Sequence, residues 1–145
     1  MPSSAHQWLV LWVARKMAAD GYTIAGYDGP TAQGGLWNRL PIPFEIASVR
    51  PDVFGICKQS ARIVVGEAKT ADDVFTRHTV QQLRILGHLR DPRSSELCTL
   101  YIAVPRSAAY ALDRVLVSTD LISARHVVRL HIPDCLLAEQ PREQR

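Results

Sequence analysis

Arg62-Ile63-Val64-Val65-Gly66-Glu67-Ala68-Lys69 is an apolar run that ends in two opposite charges. Along a strand successive side chains alternate faces, so Glu67 and Lys69 project to one side and Ala68 to the other. Interior strand positions rarely hold charges without a partner or a metal to offset lost hydration. The stretch therefore predicts a carboxylate and an ammonium sharing one small site. Upstream, Asp52 to Cys57 reads as a strand and Lys58 to Ala61 as a turn. Arg62 to Lys69 then runs back as an antiparallel partner, which would bring Asp52 across from Glu67.

Further out, Ser4 with Gln7 reads as a capping box for a helix from about Ala5 to Asp20, stopped at Gly21. Its Leu9, Val10, Val13, Ala14 and Met17 share one sector at 3.6 residues per turn, with His6 nearby, so that face should lie on a sheet. Tyr22 to Tyr27 reads as a short strand. Asp28-Gly29-Pro30, Gly34-Gly35, Pro41 and Pro43 mark a long irregular loop that could be mobile or touch a substrate, and Phe44 to Val49 looks extended. After Lys69, Thr70 to Asp73 supplies an N-cap, and a helix follows from about Asp73 to Leu89, ended by Asp91-Pro92. Leu97 to Val104 is a strand, Ala108 to Val117 a helix, and His126 to Ile132 a last strand. Residues 1–138 are expected to form a single α/β domain with a mixed central sheet flanked by helices, followed by a polar tail over 139–145.

Composition sets the chemical frame. The chain has 145 residues and 47% hydrophobic content, enough for one real core. The net charge is +3 and the pI about 9.0, so it leans towards polyanions without a block of charge. Arginine supplies nearly all the basicity, and lysine occurs only at Lys16, Lys58 and Lys69. Arginine grips phosphate with a planar fork, although a genome rich in arginine codons would give the same bias. Cys57, Cys98 and Cys135 are odd in number and widely spaced, which argues against a disulfide framework or a zinc site and fits a reducing cytoplasm. The apolar stretch from Trp8 to Ala14 is too short to span a bilayer. No membrane attachment and no organic cofactor are expected.

Two carboxylates and a lysine suit phosphodiester hydrolysis, which needs an activated water, a metal on the phosphoryl oxygens and a cation nearby. Pro51-Asp52 and Glu67-Ala68-Lys69, with the wording Gly66-Glu67-Ala68-Lys69-Thr70, resemble the PD-(D/E)XK nuclease superfamily over roughly Ala5 to Val104. The resemblance implies a restriction-endonuclease-like core of α-β-β-β-α-β order, here with an extra C-terminal helix and strand. It implies that Asp52, Glu67 and the carbonyl of Ala68 bind Mg²⁺, or Mn²⁺, and that Lys69 positions the attacking water or stabilises the transition state. A second Pro-Asp pair, Pro133-Asp134, is not followed by an acidic-x-Lys triplet. The alternative is that Asp52 caps a turn while Glu67 and Lys69 form an ordinary surface pair on an edge strand.

Many superfamily members place a glutamine on the next helix. Gln82 falls with Phe75, Leu86 and Leu89 on the apolar sector, whereas Gln81 falls with Arg77, Arg84 and His88. Gln82 is thus the inward candidate, either beside the metal site or in an ordinary polar pocket. His78, four residues earlier, and His6 are accessory candidates, although a lone histidine on such a helix is more often structural. Members often contribute a glutamate from the first helix, and this helix has none, which leaves water, Gln7 or His6 as the third ligand. Arg77, Arg84 and His88, with Arg90 and Arg93 behind, could track a DNA backbone or be scattered surface charges. Trp8 and Trp12 could stack on a partner helix, on bases or in the core. The expected function is Mg²⁺-dependent DNA endonuclease activity, structure-selective in the manner of Holliday-junction resolvases, from a homodimer. The alternatives are a non-catalytic nucleic-acid-binding module and a subunit of a restriction or defence complex.

Overall fold

The computed structural model describes residues 3–31 and 35–138; the polar tail and part of the long loop lie outside them. Helix α1 (Ser4–Ala19) leads into β1 (Tyr22–Tyr27), then β2 (Val53–Cys57), β3 (Ile63–Ala68), the short helices α2 (Ala71–Val74) and α3 (Arg77–Leu86), β4 (Thr99–Pro105), α4 (Ala109–Ser118) and β5 (Val127–Ile132). The strands form one mixed sheet in the order β1-β2-β3-β4-β5. The pairs β1/β2 and β2/β3 are antiparallel, while β3/β4 and β4/β5 are parallel. Each parallel step needs a crossover, which α2–α3 and α4 provide.

Strand alternation sorts β3 and β4 onto two cores. Val64, Ala68, Tyr101 and Ala103 pack with Leu9, Val10, Val13, Ala14 and Met17 of α1. Val65, Leu100, Ile102 and Val104 pack with Leu83 and Leu86 of α3 and Leu112, Val115 and Leu116 of α4 on the other face. The predicted stripe of α1 is buried as expected, and so is Leu11. The 3₁₀ turn Asp134–Leu137 also contacts α1 and places Leu137 in the same core, so α1 is covered by more than the sheet. Gly66 allows α1 to approach β3 closely. A methyl there would overlap Val13 Cγ1 and lie 2.9 Å from Met17 Sδ. Gly66→Ala should therefore overpack this contact at a cost of about 1–3 kcal/mol, read as a lower thermal midpoint; an unchanged midpoint would mean that α1 moves freely over the sheet.

Three local expectations are corrected. The cap of α1 is Ser3, whose Oγ accepts from the His6 N–H at 3.1 Å, one residue before the box expected at Ser4. Phe44 to Val49 forms no strand. Instead, Ile46 and Val49 exchange backbone hydrogen bonds of 2.7 and 2.9 Å around Ala47 (φ 52°) and Ser48 (φ 71°), a tight reversal. The single helix expected over Asp73 to Leu89 is broken at Phe75-Thr76 and ends at Leu86. Thr76 is extended and its Oγ1 accepts from the Thr79 N–H, while the Thr79 hydroxyl donates to the Asp73 carbonyl at 2.6 Å. These threonines replace intrahelical bonds with side-chain bonds and restart the helix. Phe75 is consequently 51% exposed, not part of an apolar helical face, with the Arg114 guanidinium 4.6 Å from its ring centre. Among the described residues no helix is long and apolar enough to cross a membrane.

Candidate functional site

The β2/β3 register pairs Val53 with Gly66. Extending it one residue past the strand places Asp52 opposite Glu67. The Asp52 N–H donates to the Gly66 carbonyl at 3.0 Å, and the Ala68 N–H donates to Asp52 Oδ2 at 2.9 Å, so this carboxylate is fastened to β3 at backbone level. The Lys69 N–H donates to the Ala103 carbonyl at 3.0 Å, which ties the end of the motif to β4. Glu67 and Lys69 share a face, as alternation requires, with Lys69 Nζ 3.3 Å from Glu67 Oε2. Lys69 Nζ also donates to Gln82 Oε1 from α3. The inward amide thus finds a partner in the lysine, beside Glu67.

Burial excludes the surface-pair alternative. β3 is the middle strand and Glu67 is 2% exposed, while the Lys69 side chain is 12% exposed. Removing a carboxylate from water raises its pKa, and the nearby Asp52 charge raises it further. Glu67 is held well above the ordinary carboxylate range by these two effects, burial being the larger, with Lys69 opposing them. Its Oε2 faces Lys69, but its Oε1 is buried with no hydrogen-bond partner among the described residues. Such an orphaned acceptor is costly, and a cation or a donor is what it lacks.

His6 arrives from the first turns of α1, with Nε2 3.5 Å from Asp52 Oδ2 and its side chain 21% exposed. The hydrogen bond to Asp52 raises the His6 pKa from 6.5, against an opposing effect of burial. The folded protein then holds this proton more tightly than the unfolded chain does. The stabilisation is full below about pH 6.5 and is lost as pH rises through the raised folded value. His6→Gln should remove that part of the decline in thermal midpoint on going from pH 6 to 8, and an identical decline in both proteins would count against the pair.

The other expected residues are distributed differently. His78 and Arg77 are exposed in the first turn of α3. Arg84 Nη2 donates to the Ser118 carbonyl at 3.1 Å, tying α3 to the end of α4. His88 lies past the end of α3 with Nδ1 2.8 Å from the Arg84 carbonyl. Arg90 donates to the Ser95 carbonyl. Trp8 and Trp12 pack partly buried against the α1 core, and Gln7 is half-buried. A feature with no sequence signal adjoins His6: a cleft of about 780 Å³ at the ends of β3 and β4, lined by Thr70, Asp72, Asp73, Pro105, Asp134 and Leu137 among others.

The donor set can be weighed against a metal. Among the described residues no three His, Cys, Asp or Glu side chains converge to hold an ion, which does not suit a structural zinc. Mg²⁺ is commonly bound through one or two carboxylates, with waters completing its shell. Asp52 and Glu67, the latter with an unpartnered oxygen, fit that requirement, and the Ala68 carbonyl lies between them in sequence. Comparison with protein-family models, with curated proteins and with solved structures finds no match to this chain.

Proposed function

We propose that this chain is a metal-dependent DNA endonuclease of the PD-(D/E)XK kind, with a restriction-endonuclease-like core. One observation carries the reading: Asp52, Glu67 and Lys69 meet at the β2/β3 pair, and the buried Glu67 keeps one oxygen without a partner among the described residues. Asp52, Glu67 and the Ala68 carbonyl would hold Mg²⁺ or Mn²⁺. The ion would supply positive charge for the phosphoryl oxygens and acidify a bound water.

The chain's own residues prepare this site. The Ala68 amide and His6 orient the Asp52 carboxylate, so that it costs little to arrange when substrate arrives. Gln82 and Glu67 hold Lys69 Nζ between two oxygens, where a fixed cation can face a pentacovalent phosphorus and its developing charge. Water adds to phosphorus, the P–O bond to one sugar oxygen breaks, and that oxygen takes up a proton. A homodimer would present one site to each strand of DNA.

The purified protein should be incubated with linear duplex, single-stranded and four-way-junction DNA, with Mg²⁺, with Mn²⁺ and with chelator. Cleavage of at least one substrate that stops with chelator supports the reading. Binding without cutting in either metal would overturn it in favour of a non-catalytic nucleic-acid-binding module.

A further inference from the structure

We propose that Phe44 is a stacking platform for an unpaired base, so that the substrate is DNA whose bases are already splayed or easily separated, not continuous duplex. This rests on the nuclease reading above and deepens it. Phe44 is 60% exposed and Ile42 53%, and both lie in Pro41-Ile42-Pro43-Phe44. The Phe44 ring stands against Phe54, with centroids 5.0 Å apart at 55°. Phe54 follows Asp52 by two residues along β2, about 7 Å of strand. An exposed aromatic ring is thus mounted one side chain away from the strand that carries the candidate metal ligand.

The mounting is stiff. Pro41 and Pro43 have fixed φ. The Tyr27 N–H donates to the Pro41 carbonyl at 3.0 Å, and Pro43 packs so closely on Gly26 that a Cβ there would lie 3.2 Å from Pro43 Cα. The Ile46–Val49 reversal closes the arm behind Phe44. A ring held this way loses little freedom when a base stacks on it, and every base offers a π-face.

Charge decides from which side DNA can arrive. The sheet order sets the arm beside β1 and β2, and the large cleft at the ends of β3 and β4 towards β5. That cleft carries Asp72, Asp73 and Asp134, which repel phosphate. The arm side carries exposed Arg39 and Arg50 against Glu45, with Arg50 3.6 Å from Asp28. Two arginines against two acids leave the arm side balanced, so a polyanion reaching Asp52 and Glu67 is repelled less over the arm, where Phe44 and Ile42 stand exposed, than over the cleft. Apolar side chains beside a DNA backbone commonly act by inserting at, or stacking on, disrupted base steps.

The test compares wild type with Phe44→Ala, Phe44→Leu and Phe44→Trp on junction, single-stranded and plain duplex DNA carrying 2-aminopurine near the branch or in the strand. Binding is read by fluorescence with Ca²⁺ in place of Mg²⁺, and cleavage separately with Mg²⁺. Phe44→Leu keeps the apolar contact with Phe54, so it reports on stacking even if Phe44→Ala unfolds. The expected result is about tenfold weaker binding of junction and single-stranded DNA by the Ala and Leu variants, unchanged duplex binding, and retention by Trp. Wild-type selectivity in both the Ala and Leu variants, or equal losses on every substrate, would overturn the platform while leaving the nuclease reading standing. Selective binding loss in the Ala and Leu variants, with a wild type that never cuts, would support the platform and overturn the nuclease reading.

Discussion

Asp52→Asn is expected to slow Mg²⁺-dependent cleavage by on the order of 10³-fold, the scale of losing one preorganised charge at a reacting centre. The substitution is selective because the asparagine Oδ1 can still accept from the Ala68 N–H, the 2.9 Å bond that fastens this residue to β3. What disappears is the negative charge, and with it the attraction for a cation and for His6. Without metal the thermal midpoint should fall only by what the charged His6 pair contributes, and the Mg²⁺ concentration for half-maximal rate should rise. Lys69→Met, which keeps the aliphatic stem, should lose a similar factor in single-turnover rate with an unchanged Mg²⁺ requirement, because the role proposed for the lysine is on the phosphate and not on the ion. The double variant should fall well short of the product of the two losses, as groups that act together do. Full activity in Asp52→Asn at low Mg²⁺ would remove the proposed mechanism.

The second large effect concerns Glu67 and metal removal. Its carboxyl is held well above 4.5, first by burial and then by Asp52. Folding therefore favours the protonated form, and stability declines as pH rises from about 4.5 through the folded value. Mg²⁺ requires the ionised form and competes with that proton, so the stabilisation it confers should be small at pH 5 and grow towards pH 8. At one hundred times its dissociation constant the ion should add about 2.7 kcal/mol at high pH, seen as a clear rise in thermal midpoint that chelator reverses. Glu67→Gln should flatten both the pH dependence and the response to Mg²⁺. Identical melting curves with Mg²⁺ and with chelator at pH 8 would show that the orphaned oxygen is not a metal ligand.

The sequence was informative where the signal is periodic. Alternation within Ile63 to Lys69 put Glu67 and Lys69 on one face, and the helical wheel of α1 identified the residues buried against the sheet. It was equally informative about Gln82, although one supporting assumption failed. Phe75 belongs to no helix; the amide meets Lys69. The break at Thr76 was missed because an apolar stripe continues across it, while the stop is written in Thr76 and Thr79 as a capping pattern. The arm around Phe44 was misread as extended because β-prone residues flank Ala47-Ser48, which carry the two positive φ angles without glycine.

By itself, the order of residues determined most of the elements, the buried face of α1 and the choice of Glu67 and Lys69 as a pair, since each depends on neighbours within a few positions along one strand or helix. Tertiary structure alone decided that β3 is central, that His6 reaches Asp52 from α1, that Gln82 clasps Lys69, and that one oxygen of Glu67 is sealed without a donor. Those facts join residues far apart in the chain, and their distances follow from how sheet, crossovers and helices pack. Local periodicity carries no information about that packing.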